Sequence, residues 1–65
     1  MKVRYDDEVD AAYIQLSTKR PVGAVEIKEG VVLHVGKKDE IVGIEILNAS
    51  EHISLRSLHT LQFVS

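Results

Sequence analysis

Three β-rich segments joined by very short loops are the feature that most limits how this chain can fold. Residues alternate over 24–28, where the pattern is clearest, and again over 31–35; residues 41–47 are a third segment, and Glu29-Gly30 and the polar loop 36–40 connect the three. Alternation with a period of two is typical of β-strands. A parallel crossover needs a dozen residues or more, so these strands must be antiparallel neighbours. The centre of the sequence therefore predicts a β-meander.

Two more strands are predicted before the meander. Residues 2–5 alternate, with Val3 and Tyr5 on one face, and residues 11–16 alternate after a polar turn. A helical alternative exists for the second segment, because apolar residues also recur there at helical spacing behind a potential cap at Asp6: Val9, Ala12, Tyr13 and Leu16. We favour the strand, since the run Tyr-Ile-Gln-Leu prefers extended backbone and the segment is short for a helix.

Glycines mark special backbone positions in this pattern. Gly30 and Gly36 lie in the two loops of the meander, where we expect turns with positive φ. Gly43 lies inside a strand, which indicates a bulge or a close approach by another backbone. It is the position at which we first expect a partner.

The character of the sequence changes after residue 47. Asn48, Ser50 and Ser54 are good helix caps, and three leucines follow at a spacing of three: Leu55, Leu58 and Leu61. We predict a helix that begins near Ser50 or Ser54, fades by Phe63 and docks its leucines on the sheet. The predicted fold is one α+β domain over residues 1–65, an antiparallel meander of about five short strands (1–47) with a C-terminal helical segment (48–65).

The two faces of the predicted sheet differ in composition. One face is strongly apolar and suits a core beneath the helix. The other mixes apolar side chains with Gln15, His34 and Glu45, and it is more apolar than a solvated face needs to be. We therefore expect a homodimer or a protein partner to cover it, at a candidate interface of Tyr13, Val32, His34, Ile41, Gly43 and Leu47.

Charge and composition exclude several functions. The 65-residue chain has a net charge of −2, no cysteine and 5% aromatic residues, so we expect no disulfide, no thiolate metal site and no nucleic-acid binding by the chain alone. The basic pairs Lys19-Arg20 and Lys37-Lys38 are interpreted as solvated loop charges. Without an apolar run that could span a bilayer or serve as a signal peptide, we expect a cytoplasmic protein that does not bind membranes.

Several segments resemble a known family. Tyr5-Asp6, Asp10, Tyr13-Ile14-x-Leu16 and the run Gly43 to Leu47 followed by Ala49 are similar to the small bacterial proteins grouped as domain of unknown function 2283. The resemblance implies a compact β-rich fold and no established activity or catalytic residues. It permits an antitoxin-like role with a small toxin as partner. Members often have an Asp-Gly turn before the glycine run, where this chain has Lys37 to Glu40.

Two constellations invite a catalytic or metal-binding alternative. The acidic turn Asp6 to Asp10 suggests a divalent cation or a minimal enzyme, but it fails the EF-hand pattern because Ala11 and Ser17 replace the required glycine and glutamate. We expect Asp6 and Asp10 to accept hydrogen bonds from turn amides instead. His52 and His59 are too far apart along a helix to share one ion, and His34 is distant. We therefore expect neither a cofactor nor a catalytic residue.

Overall fold

The structure, a computed structural model, describes residues 2–54 and 56–58. Its strands are β1 Lys2–Asp6, β2 Ala11–Gln15, β3 Gly23–Lys28, β4 Val31–Val35 and β5 Ile41–Leu47. A 3-10 turn at Lys37–Asp39 precedes β5, and the helix α1, Ala49–His52, follows it. The fold is thus mostly sheet, with a small helical part after β5.

The strands form one antiparallel sheet in the order β1-β2-β5-β4-β3. β3, β4 and β5 are the meander that the short loops predict. The β1–β2 hairpin lies on the other side of β5, because β2 pairs with β5 from Ala11↔Leu47 to Gln15↔Gly43. The strand interpretation of residues 11–16 is therefore confirmed and the helical alternative is wrong. Pairing with strands on both sides outweighs the local helical spacing.

One face of the sheet, here called the helix face, packs against the C-terminal segment. Its core is formed by Ala12, Ala49 and Leu58, each at most 1% exposed. Tyr5, Ile46 and Ile53 pack around this core. Small side chains at positions 12 and 49 let the segment approach the sheet closely. The predicted docking is confirmed for Leu58, whereas Leu55, His59, Leu61 and Phe63 lie outside the described residues.

The helical segment is more broken than the sequence predicts. α1 ends at His52, because the backbone of Ile53 is extended (φ −132°, ψ 138°), and residues 56–58 form another helical turn. Both predicted starting points are used, because α1 contains Ser50, and Ser54 Oγ accepts the Ser57 N–H at 3.2 Å. Asn48 precedes α1 in the left-handed region but makes no side-chain cap. No helix within residues 2–54 and 56–58 is long and apolar enough to cross a membrane.

The two loop glycines serve different purposes. Gly30 has a φ of 81°, as predicted for its turn. The expectation for Gly36 is wrong, since its φ is −97°. Lys38 and Asp39 take the positive φ values instead. Gly36 leaves room for its neighbour instead, because a Cβ there would lie 3.2 Å from Val42 Cγ2 and would require a small shift of that side chain.

Candidate functional site

The face of the sheet opposite the helix face, here called the far face, carries the candidate interface. The strand register sets its side chains in rows across the sheet. One row contains, in order from β1 to β3, Arg4, Tyr13, Glu45, Val32 and Glu26. The next contains Lys2, Gln15, Gly43, His34 and Ala24. The structure thus brings Tyr13, Val32, His34 and Gly43 together, as the sequence predicts.

Tyr13 lies across Gly43 at the centre of this face. A Cβ on Gly43 would overlap Tyr13 Oη and would lie 2.9 Å from the carbonyl oxygen of Ile14. Diagonal neighbours on adjacent strands are within reach of aromatic side chains. The close approach that Gly43 indicated is therefore made by a tyrosine ring of the same chain. A register shift between His34 and Val35 lies next to it in the pairing of β4 with β5.

His34 joins Tyr13 to a carboxylate. His34 Nε2 lies 3.0 Å from Glu45 Oε1. The rings of Tyr13 and His34 meet edge to face with centroids 5.5 Å apart. Edge-to-face contacts of this kind favour a fixed ring geometry. Glu45 is the member of this cluster that the interface prediction leaves out, although the short β4–β5 loop already makes it a neighbour of His34.

Ile41 and Leu47 lie away from the central cluster. Ile41 pairs with Val35 beyond the register shift and is 49% exposed. Leu47 pairs with Ala11 at the other end of β5 and is 39% exposed. The predicted set is thus a central cluster with one exposed aliphatic residue at each end of β5.

The exposure of the His34–Glu45 pair bears on whether it could transfer protons. A hydrogen-bonded His–Glu pair can act as a general base when a substrate lies within hydrogen-bond reach in a site that excludes water. Here the side chains of His34 and Glu45 are 24% and 34% exposed. Glu45 borders an open depression that Arg4 and Tyr13 also line. Glu26 does not form a carboxylate pair with Glu45, because Val32 separates the two residues in their row.

The acidic turn has a structural task. Asp10 Oδ1 accepts hydrogen bonds from the Tyr5 hydroxyl at 2.8 Å and the Ser50 amide at 3.0 Å. Its Oδ2 accepts the Ser50 hydroxyl at 2.7 Å, and its carbonyl accepts the Ala49 amide. Asp10 therefore supplies the helix cap that Asn48 does not. The expectation that Asp10 bonds a turn amide is wrong, whereas Asp6 does so, accepting the Glu8 amide at 3.0 Å.

These bonds shift two pKa values in opposite directions. The hydrogen bonds from Ser50, and then that from Tyr5, lower the pKa of Asp10 below its ordinary value. The bond to Asp10 raises the pKa of Tyr5, because the phenol donates it only while protonated. At neutral pH both shifts favour the ionised Asp10 carboxylate and the protonated Tyr5 phenol, which are the forms that make these hydrogen bonds.

The structure also places the residues that the metal-binding alternative invokes. Among the residues that the structure describes, no three His, Asp or Glu side chains are placed to hold a metal ion. Asp10 is engaged with Ser50, and His52 lies beside the Gly30 turn, 3.2 Å from where a Cβ would stand.

Comparison with known proteins finds a family to which the chain belongs and a relative that it partly covers. Residues 2–50 match the family described as "Protein of unknown function (DUF2283)". A protein of Methanosarcina mazei named "Putative hypoxanthine phosphoribosyltransferase" is 35% identical over 54 residues, which cover 83% of this chain and 43% of the relative. The chain thus spans less than half the length of that protein. No solved structure matches this chain.

Proposed function

Because the chain belongs to the DUF2283 family, whose description gives no activity, we propose from its geometry that it is a non-catalytic interaction module that dimerises through its far face. The matched relative's name states an activity, but this chain covers only 43% of that protein. The far face itself therefore carries the proposal.

The pattern of side chains across the far face supports a second copy as the occupant. The central row begins with Arg4 on β1 and ends with Glu26 on β3, and Tyr13 and Val32 lie between them. This arrangement of opposite charges at the two ends is the observation that carries the proposal. Two such faces related by a two-fold axis parallel to the strands place Arg4 of each copy over Glu26 of the other.

The same arrangement matches the apolar residues. It places Tyr13 of each copy over Val32 of the other. The two sheets would then lie about 10 Å apart, as packed sheets do. Both residues are only half-buried within one chain. Dimerisation would bury them further, and each apolar area removed from water contributes about 25 cal/mol per Å². Each Glu45 faces its counterpart at the centre while bonded to its own His34.

Charge reversal tests this arrangement directly. Sedimentation equilibrium over a range of concentrations should show a monomer–dimer equilibrium for the wild-type chain. Arg4→Glu and Glu26→Arg should each weaken the dimer about tenfold or more, because each sets two pairs of like charges face to face. The double variant should recover most of the affinity, since it restores opposite charges. Lys28→Glu, a charge reversal outside this row, is the matched control and should have little effect.

A second substitution probes the centre of the interface. Glu45→Gln keeps an oxygen that accepts a hydrogen bond from His34 and removes the facing carboxylate charges, so it should tighten the dimer several-fold. A chain that stays monomeric at every concentration contradicts self-association. In that case the far face is left for a different protein, such as the small toxin that the family resemblance permits. A dimer insensitive to both single reversals contradicts the far-face geometry.

A further inference from the structure

The two basic pairs of the sequence meet at one end of the molecule. The connector after β2 and the loop before β5 both lie at the end of the sheet where Gln15 pairs with Gly43 and Gly23 with Val35. There they form a concavity of about 510 Å³, lined by Lys19, Arg20, Val22, Lys37, Lys38 and Glu40. We call it the basic cleft. Its cations come from two segments that no sequence pattern connects.

The basic cleft concentrates positive charge in a chain whose net charge is −2. Four cationic side chains line it with one carboxylate, Glu40, and that carboxylate is bonded to Lys19. The ion pair also ties the two loops together. Arg20, Lys37 and Lys38 are exposed, so the field of the cleft attracts anions.

The backbone at one of these lysines, Lys38, and at the neighbouring Asp39 is held in an uncommon conformation. Lys38 and Asp39 have φ values of 62° and 59°, in the left-handed region that favours glycine. A hydrogen bond of 2.8 Å from the Gly36 amide to the Glu40 carbonyl closes the loop. Strained residues persist where the surrounding structure fixes them, and they concentrate at ligand-binding positions.

We propose that the basic cleft binds the phosphate groups of a small ligand that carries two or more phosphates. Lysine and arginine side chains are the usual partners of such groups. The volume lies within the range of small-ligand sites, and exposed Val22 offers an apolar wall for the rest of the ligand. A small ligand fits better than a nucleic acid, because the opposite end of the sheet carries the acidic turn Asp6 to Asp10, which repels a long polyanion.

Isothermal titration with inorganic pyrophosphate and with a nucleoside triphosphate tests the proposal. Saturable binding with one site per chain is expected, and its affinity should fall as salt rises. Arg20→Gln should weaken binding about tenfold, and Lys37→Gln with Arg20→Gln more. Neither substitution alters the residues with positive φ. Lys28→Gln removes a cation near the opposite end of the sheet and should leave the affinity unchanged.

Three results would overturn the proposal: the titration gives no saturable heat at millimolar pyrophosphate or triphosphate, Lys28→Gln lowers the affinity as much as Arg20→Gln does, or a short DNA duplex binds more tightly than the triphosphate. Amide chemical shifts recorded during the titration supply an independent readout. Shifts confined to residues 19, 20, 22 and 36–40 support the cleft, whereas shifts on the far face contradict it.

Discussion

The two faces of this sheet use apolar side chains in different ways. The helix face is closed by the chain itself, with Ala12, Ala49 and Leu58 almost fully buried. The far face holds its residues by cross-strand contacts, Tyr13 over Gly43 and His34 beside Glu45, and it leaves the central residues half-exposed. The comparison teaches that packing on the helix face maintains the fold, whereas the far face is preorganised without being buried.

The largest effect is expected on the helix face. Leu58→Ala removes the largest side chain that is fully buried among the described residues, so unfolding should become easier by about 2–5 kcal/mol. Chemical denaturation checks this value. Leu47→Ala, on the far face and 39% exposed, is the control and should cost much less. Equal losses at the two positions would remove the distinction between the faces.

A smaller effect is expected from the fixed centre of the far face. Gly43→Ala should destabilise the fold by about 1–3 kcal/mol, because the new methyl group meets the Tyr13 ring and the Ile14 carbonyl. In a Tyr13→Ala background the same change should cost less, since only the carbonyl contact remains. A double-mutant cycle by denaturation measures this coupling. Strictly additive losses would mean that Tyr13 does not occupy the space over Gly43.

The hydrogen bonds of Asp10 with Tyr5 and Ser50 join the β1–β2 hairpin to α1, and they should make the stability of the fold depend on pH. The pKa of Asp10 is lowered in the folded chain, so its contribution is present above the ordinary value near 3.8 and is lost as the pH falls through the lowered value. Asp10→Asn should therefore reduce the melting temperature at pH 7, and the difference from the wild-type chain should shrink toward pH 3. Asp7→Asn is the control. A constant difference across this range would show that the carboxylate charge of Asp10 is not involved.

The smallest effect is expected at the exposed ion pair of the basic cleft. Lys19→Ala removes a side chain that is 63% exposed, and surface pairs contribute roughly 0–1 kcal/mol. Denaturation in low and high salt should show a difference of this size that disappears at high salt. A loss above about 2 kcal/mol would mean that the connector depends on this pair far more than a surface ion pair allows.

Sequence reasoning located the strands well, because they depend on local pattern. The predicted third strand, Ile41–Leu47, agrees with the bounds of β5, and the turn at Gly30 has its positive φ. The order of the strands was harder to predict from the sequence. The meander has two edge strands, β3 and β5, and no local pattern tells which of them pairs with β2. The left-handed conformation of Lys38 also has no local signal, as glycine at position 36 was the expected site.

The candidate site was predictable in membership and not in contacts. Alternation places Tyr13, His34 and Glu45 on one face, but only the register shows that Tyr13 covers Gly43. The bond between Asp10 and Ser50 joins residues 40 positions apart, and an aspartate in an acidic turn looks the same whether it caps a distant helix or its own turn. Tertiary structure alone decides between these roles.

Nuclear Overhauser contacts between differently labelled copies are the sharpest test of dimerisation through the far face. A mixed sample of one copy labelled with ¹³C and ¹⁵N and one unlabelled copy reports only protons that meet across the interface. We expect contacts between the Tyr13 ring and the Val32 methyl groups of the second copy. Contacts confined to the exposed edge strand, at Val25 and Ile27, or to the helix face would contradict it.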